Sequence, residues 1–154
     1  MNHKLLLAVD GARSSRKTAI YAAQICAGSR TCRGIVVFHV YVAIPPFVEG
    51  ANPGPADLLA ERTDKVRTGA AEKMLANIKE AIIREGVGSE LITTELVEKE
   101  GDAAKQIIRA AAAHGCDTIV LGRHNKSLFV EFLEGSIVEH ILRKPIGYTI
   151  WVVE

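Results

Sequence analysis

The feature that most constrains this chain is an alternation. Short apolar runs rich in leucine and β-branched residues take turns with longer stretches of helical character along the whole sequence. Residues 4–9 form an apolar run that stops at Asp10-Gly11, which predicts a strand and a turn. Ser14 or Ser15 is placed to cap a helix over residues 14–27, with Gly28 just past its end. Ala19, Ala22, Ala23 and Cys26 fall on one face of that helix. Residues 34–42 predict a second strand. Pro45, Pro46, Pro53, Gly54 and Pro55 then mark a loop. Residues 56–85 read as a long helix with a buried stripe of Ala70, Met74, Ile78, Ala81 and Ile82. Gly69 interrupts it, and Gly86 and Gly88 close it.

The second half repeats the pattern. Residues 90–97 predict a third strand, more polar than the others and therefore at a sheet edge. Asp102 caps a helix carrying Ile107, Ile108 and Ala111 that ends near Gly115. Asp117 leads into a fourth strand, residues 118–121, ending at Gly122. A loop follows, then a helix over residues 136–143 and a last strand over residues 148–153. Strand-helix alternation of this kind means a parallel sheet with helices on both faces. The expected architecture is α/β: an open, doubly wound, five-stranded parallel sheet in the order 3-2-1-4-5. No linker or internal repeat divides the 154 residues, so residues 1–154 read as one domain.

Composition excludes several functions. Lys plus Arg number 19 and Asp plus Glu 18, a balance that gives no electrostatic basis for a nucleic-acid or membrane-surface partner. No apolar run approaches the ~20 residues needed to span a bilayer. The apolar start, residues 5–9, ends at Asp10 with no small-residue cleavage site, so a buried strand is preferred to a signal peptide. The 3 cysteines, Cys26, Cys32 and Cys116, are odd in number and lack a CxxC pair. They read as reduced thiols of a cytoplasmic protein. His3 and His39 are candidates for neighbours on adjacent strands, but two histidines make no metal site. His114 and His140 are expected on exposed helix positions. Tyr148 and Trp151 are placed either in the core or on a patch covered by a second subunit.

In an open doubly wound sheet, ligands bind beyond the carboxyl ends of the strands where the strand order reverses. That directs attention to Asp10-Gly11-Ala12 and to Gly122-Arg123-His124-Asn125. The second segment runs on through Lys126 to Glu134-Gly135-Ser136-Ile137, where Ser136 and Glu139 have capping-box spacing. A helix start presents free backbone N–H groups that suit a phosphate, and Gly135 would let one approach. GxGxxG, GxxxxGK[ST] and a serine nucleophile elbow are all absent. No residue is nominated as catalytic or metal-ligating.

These segments resemble the universal stress protein family along essentially the whole chain. The resemblance rests on Leu6-Leu7-Ala8-Val9-Asp10-Gly11, on Val37-Phe38-His39-Val40, on Gly101-Asp102 through Ala110, on Asp117 through Arg123, and on Glu134-Gly135-Ser136-Ile137-Val138. ATP-binding members carry G-x2-G-x9-G-[ST]. Here that frame is Gly122, Asn125, Gly135 and Ser136, with Asn125 in place of a glycine, Leu128 in place of a further glycine and Val138 in place of a second hydroxyl. The resemblance implies a small regulatory module that binds ATP, with or without Mg2+, and is not an enzyme. It implies Asp10 and Gly11 beside the adenine and ribose, and Val40 giving backbone contacts to the base. Gly122, Arg123 and Asn125 would lie along the phosphates, with Gly135, Ser136 and Ile137 closing over them. It also implies a homodimer through Thr149–Val153. The alternative is a member of the branch that binds no nucleotide and acts as a dimeric interaction protein.

Overall fold

Leu5, Leu6 and Leu7 are each at most 2% exposed, so the first strand is buried on both faces and must lie inside the sheet. The computed structural model describes residues 3–11, 13–43, 55–122 and 147–153. Five strands pair in parallel: β1 (His3–Ala8), β2 (Cys32–Tyr41), β3 (Ile92–Glu98), β4 (Thr118–Gly122) and β5 (Thr149–Val153). Their order is β3-β2-β1-β4-β5, the doubly wound arrangement the alternation requires. Among the described residues three α-helices accompany them: α1 (Arg13–Ala27), α2 (Pro55–Arg84) and α3 (Ala103–Ala113). The helix expected over residues 136–143 lies outside the described residues.

Side-chain parity divides the core into two layers. Leu5, Leu7, Ile35, Val37 and Val120 face α1 and α2. Leu6, Val36, Phe38, Ile119 and Leu121 face α3. Helix α1 buries Ala19, Ala22, Ala23 and Cys26, the face expected of it, together with Ser15 and Thr18. Asp102 caps α3, its Oδ1 accepting from the Ala104 N–H at 2.9 Å. β3 keeps only Ile92 fully buried, which fits an edge strand.

Four details differ from expectation. α2 is continuous through Gly69, where an added Cβ would meet nothing within 4 Å. Its buried stripe is Ala71, Leu75, Ile78, Ala81 and Ile82, while Ala70 is exposed and Met74 only half-buried. His3 and His39 stand at opposite ends of the sheet: His3 pairs with Cys32 and His39 with Leu96. His114 is half-buried at the end of α3, its Nε2 2.7 Å from the Glu95 carboxylate.

A fifth correction concerns the cysteines. Cys26 and Cys32 form a disulfide, with their Cα atoms 5.2 Å apart, and only Cys116 is free. A break in register explains the pairing. His3 pairs with Cys32 but Lys4 pairs with Gly34, so β2 carries one extra residue, Arg33. Strict alternation would put Cys32 on the α3 face with Gly34 and Val36. The bulge turns it to the other face, where it packs in the α1 layer beside Cys26.

Candidate functional site

The carboxyl ends of β1, β2 and β4 lie side by side, with Ala8 paired to both Phe38 and Leu121. The chain leaves β1 through Val9, whose N–H is held by the Phe38 carbonyl at 2.9 Å. Asp10 follows, half-buried. Ser15, in the first turns of α1, holds it twice. The Ser15 hydroxyl donates to Asp10 Oδ1 at 2.7 Å and accepts from the Asp10 backbone N–H at 3.1 Å. Ser15 is therefore not the N-cap of α1, which already begins at Arg13. Its buried hydroxyl is spent on Asp10 instead. Gly11 turns the chain with φ +81, and nothing lies within 4 Å of where its Cβ would stand. It serves conformation rather than close approach.

Gly122, at the end of β4, has the opposite reason for being glycine. A Cβ there would sit 2.7 Å from Thr18 Oγ1. Thr18 is 1% exposed, and its hydroxyl donates to the Ser14 carbonyl at 2.9 Å. The missing side chain thus lets α1 lie directly against the strand end. The same helix fixes Asp10 and bears on Gly122, joining the two strand ends at the point where the sheet order reverses.

His39 borders these strand ends from β2. Its Nδ1 is 2.7 Å from the Val9 carbonyl oxygen. A carbonyl only accepts, so Nδ1 carries the proton. In the neutral ring Nε2 is then an acceptor. Val40 is half-buried, packed against the α3 layer, and paired with Val97. Arg13, Arg16 and Lys17, on the first turns of α1, are exposed and add positive charge at this end of the molecule.

Of the expected site residues, Asp10, Gly11, Val40 and Gly122 come together at these strand ends. Arg123, Asn125, Gly135, Ser136 and Ile137 lie outside the described residues. Ser15, Thr18 and His39 are supporting residues that sequence reasoning did not nominate. The five-residue step from Asp10 to Ser15 was the available signal. Among the described residues no group of three or more His, Cys, Asp or Glu side chains is arranged to hold a metal ion.

A second concavity lies elsewhere. A groove of about 790 Å³ runs between α1 and β5, lined by Ile20, Tyr21, Ile25, Trp151, Val152 and Val153 among others. Tyr21 and Val152 are each 48% exposed. Trp151 and Tyr148 pack half-buried on opposite faces of the sheet.

A five-stranded parallel sheet in this order defines the doubly wound class of α/β fold, in which ligands bind beyond the carboxyl ends of the strands at the switch point. The chain belongs to the universal stress protein family, whose model matches residues 1–145. Solved structures share the fold. The structure of the hypothetical protein MJ0577 superposes with a TM-score of 0.72 at 20% identity, over 99% of this chain and 96% of that one. A universal stress protein in complex with cAMP gives 0.62 at 18% identity, over 99% and 96%. One from Archaeoglobus fulgidus in complex with dAMP gives 0.56 at 17% identity, over 100% and 98%. No curated protein is significantly similar to the chain. No described helix is long and apolar enough to cross a membrane.

Proposed function

We propose that this universal stress protein binds an adenine nucleotide, ATP in particular, at the carboxyl ends of β1, β2 and β4, and acts as a regulatory module rather than an enzyme. The observation that carries this is Asp10. Its carboxylate is held in one orientation by Ser15, at the switch point of the sheet, with Gly11 turning the chain away from it. A carboxylate oxygen has two lone pairs, so an oriented carboxylate can accept from a ribose hydroxyl as well as from Ser15. The positive first turns of α1 suit an anionic ligand. The complexes of related proteins with cAMP and dAMP support the same chemistry. ATP would extend from Asp10 past Gly122 to the Gly135-Ser136 segment, with Mg2+ on its phosphates. We place the protein in the cytoplasm, without nucleic-acid or membrane partners, as a homodimer joined through β5. The place of β5 at the end of the strand order among the described residues and the apolar groove beside it favour that pairing.

Thermal melting with and without millimolar Mg-ATP tests the proposal. A ligand bound only by the folded state adds RT ln(1 + [L]/Kd), about 2.7 kcal/mol at a hundredfold excess over Kd. A rise in Tm that is absent in Gly135→Glu supports nucleotide binding. An unchanged Tm in a well-folded protein supports the branch of the family that binds no nucleotide.

A further inference from the structure

We propose that Cys26 and Cys32 form a reversible oxidation site that responds to hydroperoxides and is independent of the nucleotide reading. Three observations converge on it. The extra residue at Arg33 turns Cys32 onto the α1 face, where alternation alone would not put it. The two Cα atoms stand 5.2 Å apart, inside the range a disulfide spans without backbone movement. The two sulfurs also differ in access: Cys26 is 5% exposed, whereas Cys32 is only half-buried.

That asymmetry assigns roles. Cys32 is the more exposed of the two, so it is the one that meets the peroxide. Its thiolate attacks one peroxide oxygen and breaks the O–O bond. Sulfenic acid forms on Cys32, and the other oxygen leaves as an alcohol or water after taking up a proton. Cys26 then attacks the Cys32 sulfur. The S–O bond breaks, and the hydroxide leaves as water with the Cys26 proton. Two sulfurs lose two electrons and the peroxide gains both. A dithiol reverses the change by exchange at the same disulfide.

Hydrogen bonds hold the turn alongside the disulfide. Ser29 N–H donates to the Cys26 carbonyl, Cys32 N–H to the Ser29 carbonyl, Thr31 N–H to the Ser29 hydroxyl, and His3 N–H to the Thr31 carbonyl. The reduced thiols therefore stay poised near each other. Cys116 takes no part, since it is buried in the α3 layer on the other side of the sheet.

The whole chain, reduced with dithiothreitol and desalted, is treated with hydrogen peroxide while folded. Thiols are then counted after denaturation. The proposal expects 3 before peroxide and 1 after, with the Cys26–Cys32 pair as the product. Dithiothreitol added to the folded, oxidised protein restores the original count. The oxidised form melts roughly 4–8 °C above the reduced form, from loop closure in the unfolded chain. In a Cys26→Ser variant the lone Cys32 forms a mixed disulfide with oxidised glutathione in the folded protein, whereas Cys26 in a Cys32→Ser variant does not. A count that stays at the reduced value, sulfinic acid in place of the disulfide, or a bond that dithiothreitol leaves intact in the folded protein overturns the proposal. These outcomes are read on the unaltered chain, so a variant that fails to fold does not obscure them. None involves nucleotide.

Discussion

Gly122→Ala is a sharp test of how α1 meets the sheet. The new methyl group would stand 2.7 Å from Thr18 Oγ1, closer than a Cβ tolerates. Thr18 is fully buried and its hydroxyl donates to the Ser14 carbonyl, so turning the oxygen away breaks that hydrogen bond. Overpacking of this kind costs typically 1–3 kcal/mol, and displacing the hydroxyl from its acceptor adds about 1 kcal/mol. A central value of about 2 kcal/mol corresponds to a fall in Tm of roughly 4–8 °C for a chain of this length. Thr18→Ala removes the obstructing oxygen. Combining the two substitutions should recover about 1–2 kcal/mol relative to additivity, because the residues are in contact. Urea unfolding of the four proteins measures this coupling. If Gly122→Ala melts like the parent, or costs the same with and without Thr18→Ala, the packing argument is wrong. Gly122 would then be glycine for some other reason.

Other consequences are equally measurable. Ser15→Ala removes both hydrogen bonds to Asp10 and should cost about 1–3 kcal/mol in urea unfolding. It should also weaken ATP binding, because the Ser15 hydroxyl no longer orients the carboxylate, read by titration of the nucleotide. Asp102→Ala deletes the cap of α3 and should destabilise the fold by about 1 kcal/mol in urea unfolding. Burial pushes the Cys116 thiol from its ordinary 9.0 up to about 11, outweighing the opposing pull of Lys4. The folded state therefore holds a proton that the unfolded state gives up first. This contribution is intact below pH 9 and is lost as pH rises from 9 to about 11. By that upper limit the loss amounts to about 2 kcal/mol. The difference in stability between the parent and Cys116→Ala should shrink correspondingly across that window, as followed by urea unfolding.

The layered fold was legible because its strands are continuous apolar runs. Residues buried on both faces, such as Leu5 to Leu7 and Ile35 to Val37, advertise a parallel sheet, and the polar third strand advertises an edge. Asp102 was legible because capping is local. The α2 stripe was placed one residue out of phase over its first turns. A straight helix advances about 3.6 residues per turn, so Ala71, Leu75, Ile78 and Ile82 share a face that a count in fours from Ala70 misses. The disulfide was hidden because it depends on a bulge, and no local pattern marks Arg33 as the extra residue. In the site, Asp10 stood out at a strand end. The pairing of Gly122 with Thr18 joins residues far apart in sequence, so neither glycine nor threonine announces it.

The central claim, that Asp10 anchors an adenine nucleotide, is tested most directly by titration calorimetry of Mg-ATP into the parent and Asp10→Ala. Losing the fixed acceptor should cost on the order of 1.4–3 kcal/mol, a tenfold or greater loss of affinity. The account predicts saturable binding of one nucleotide per chain, weakened at least to that extent in a variant that remains folded. No binding by the folded parent, or equal binding by both proteins, would contradict it.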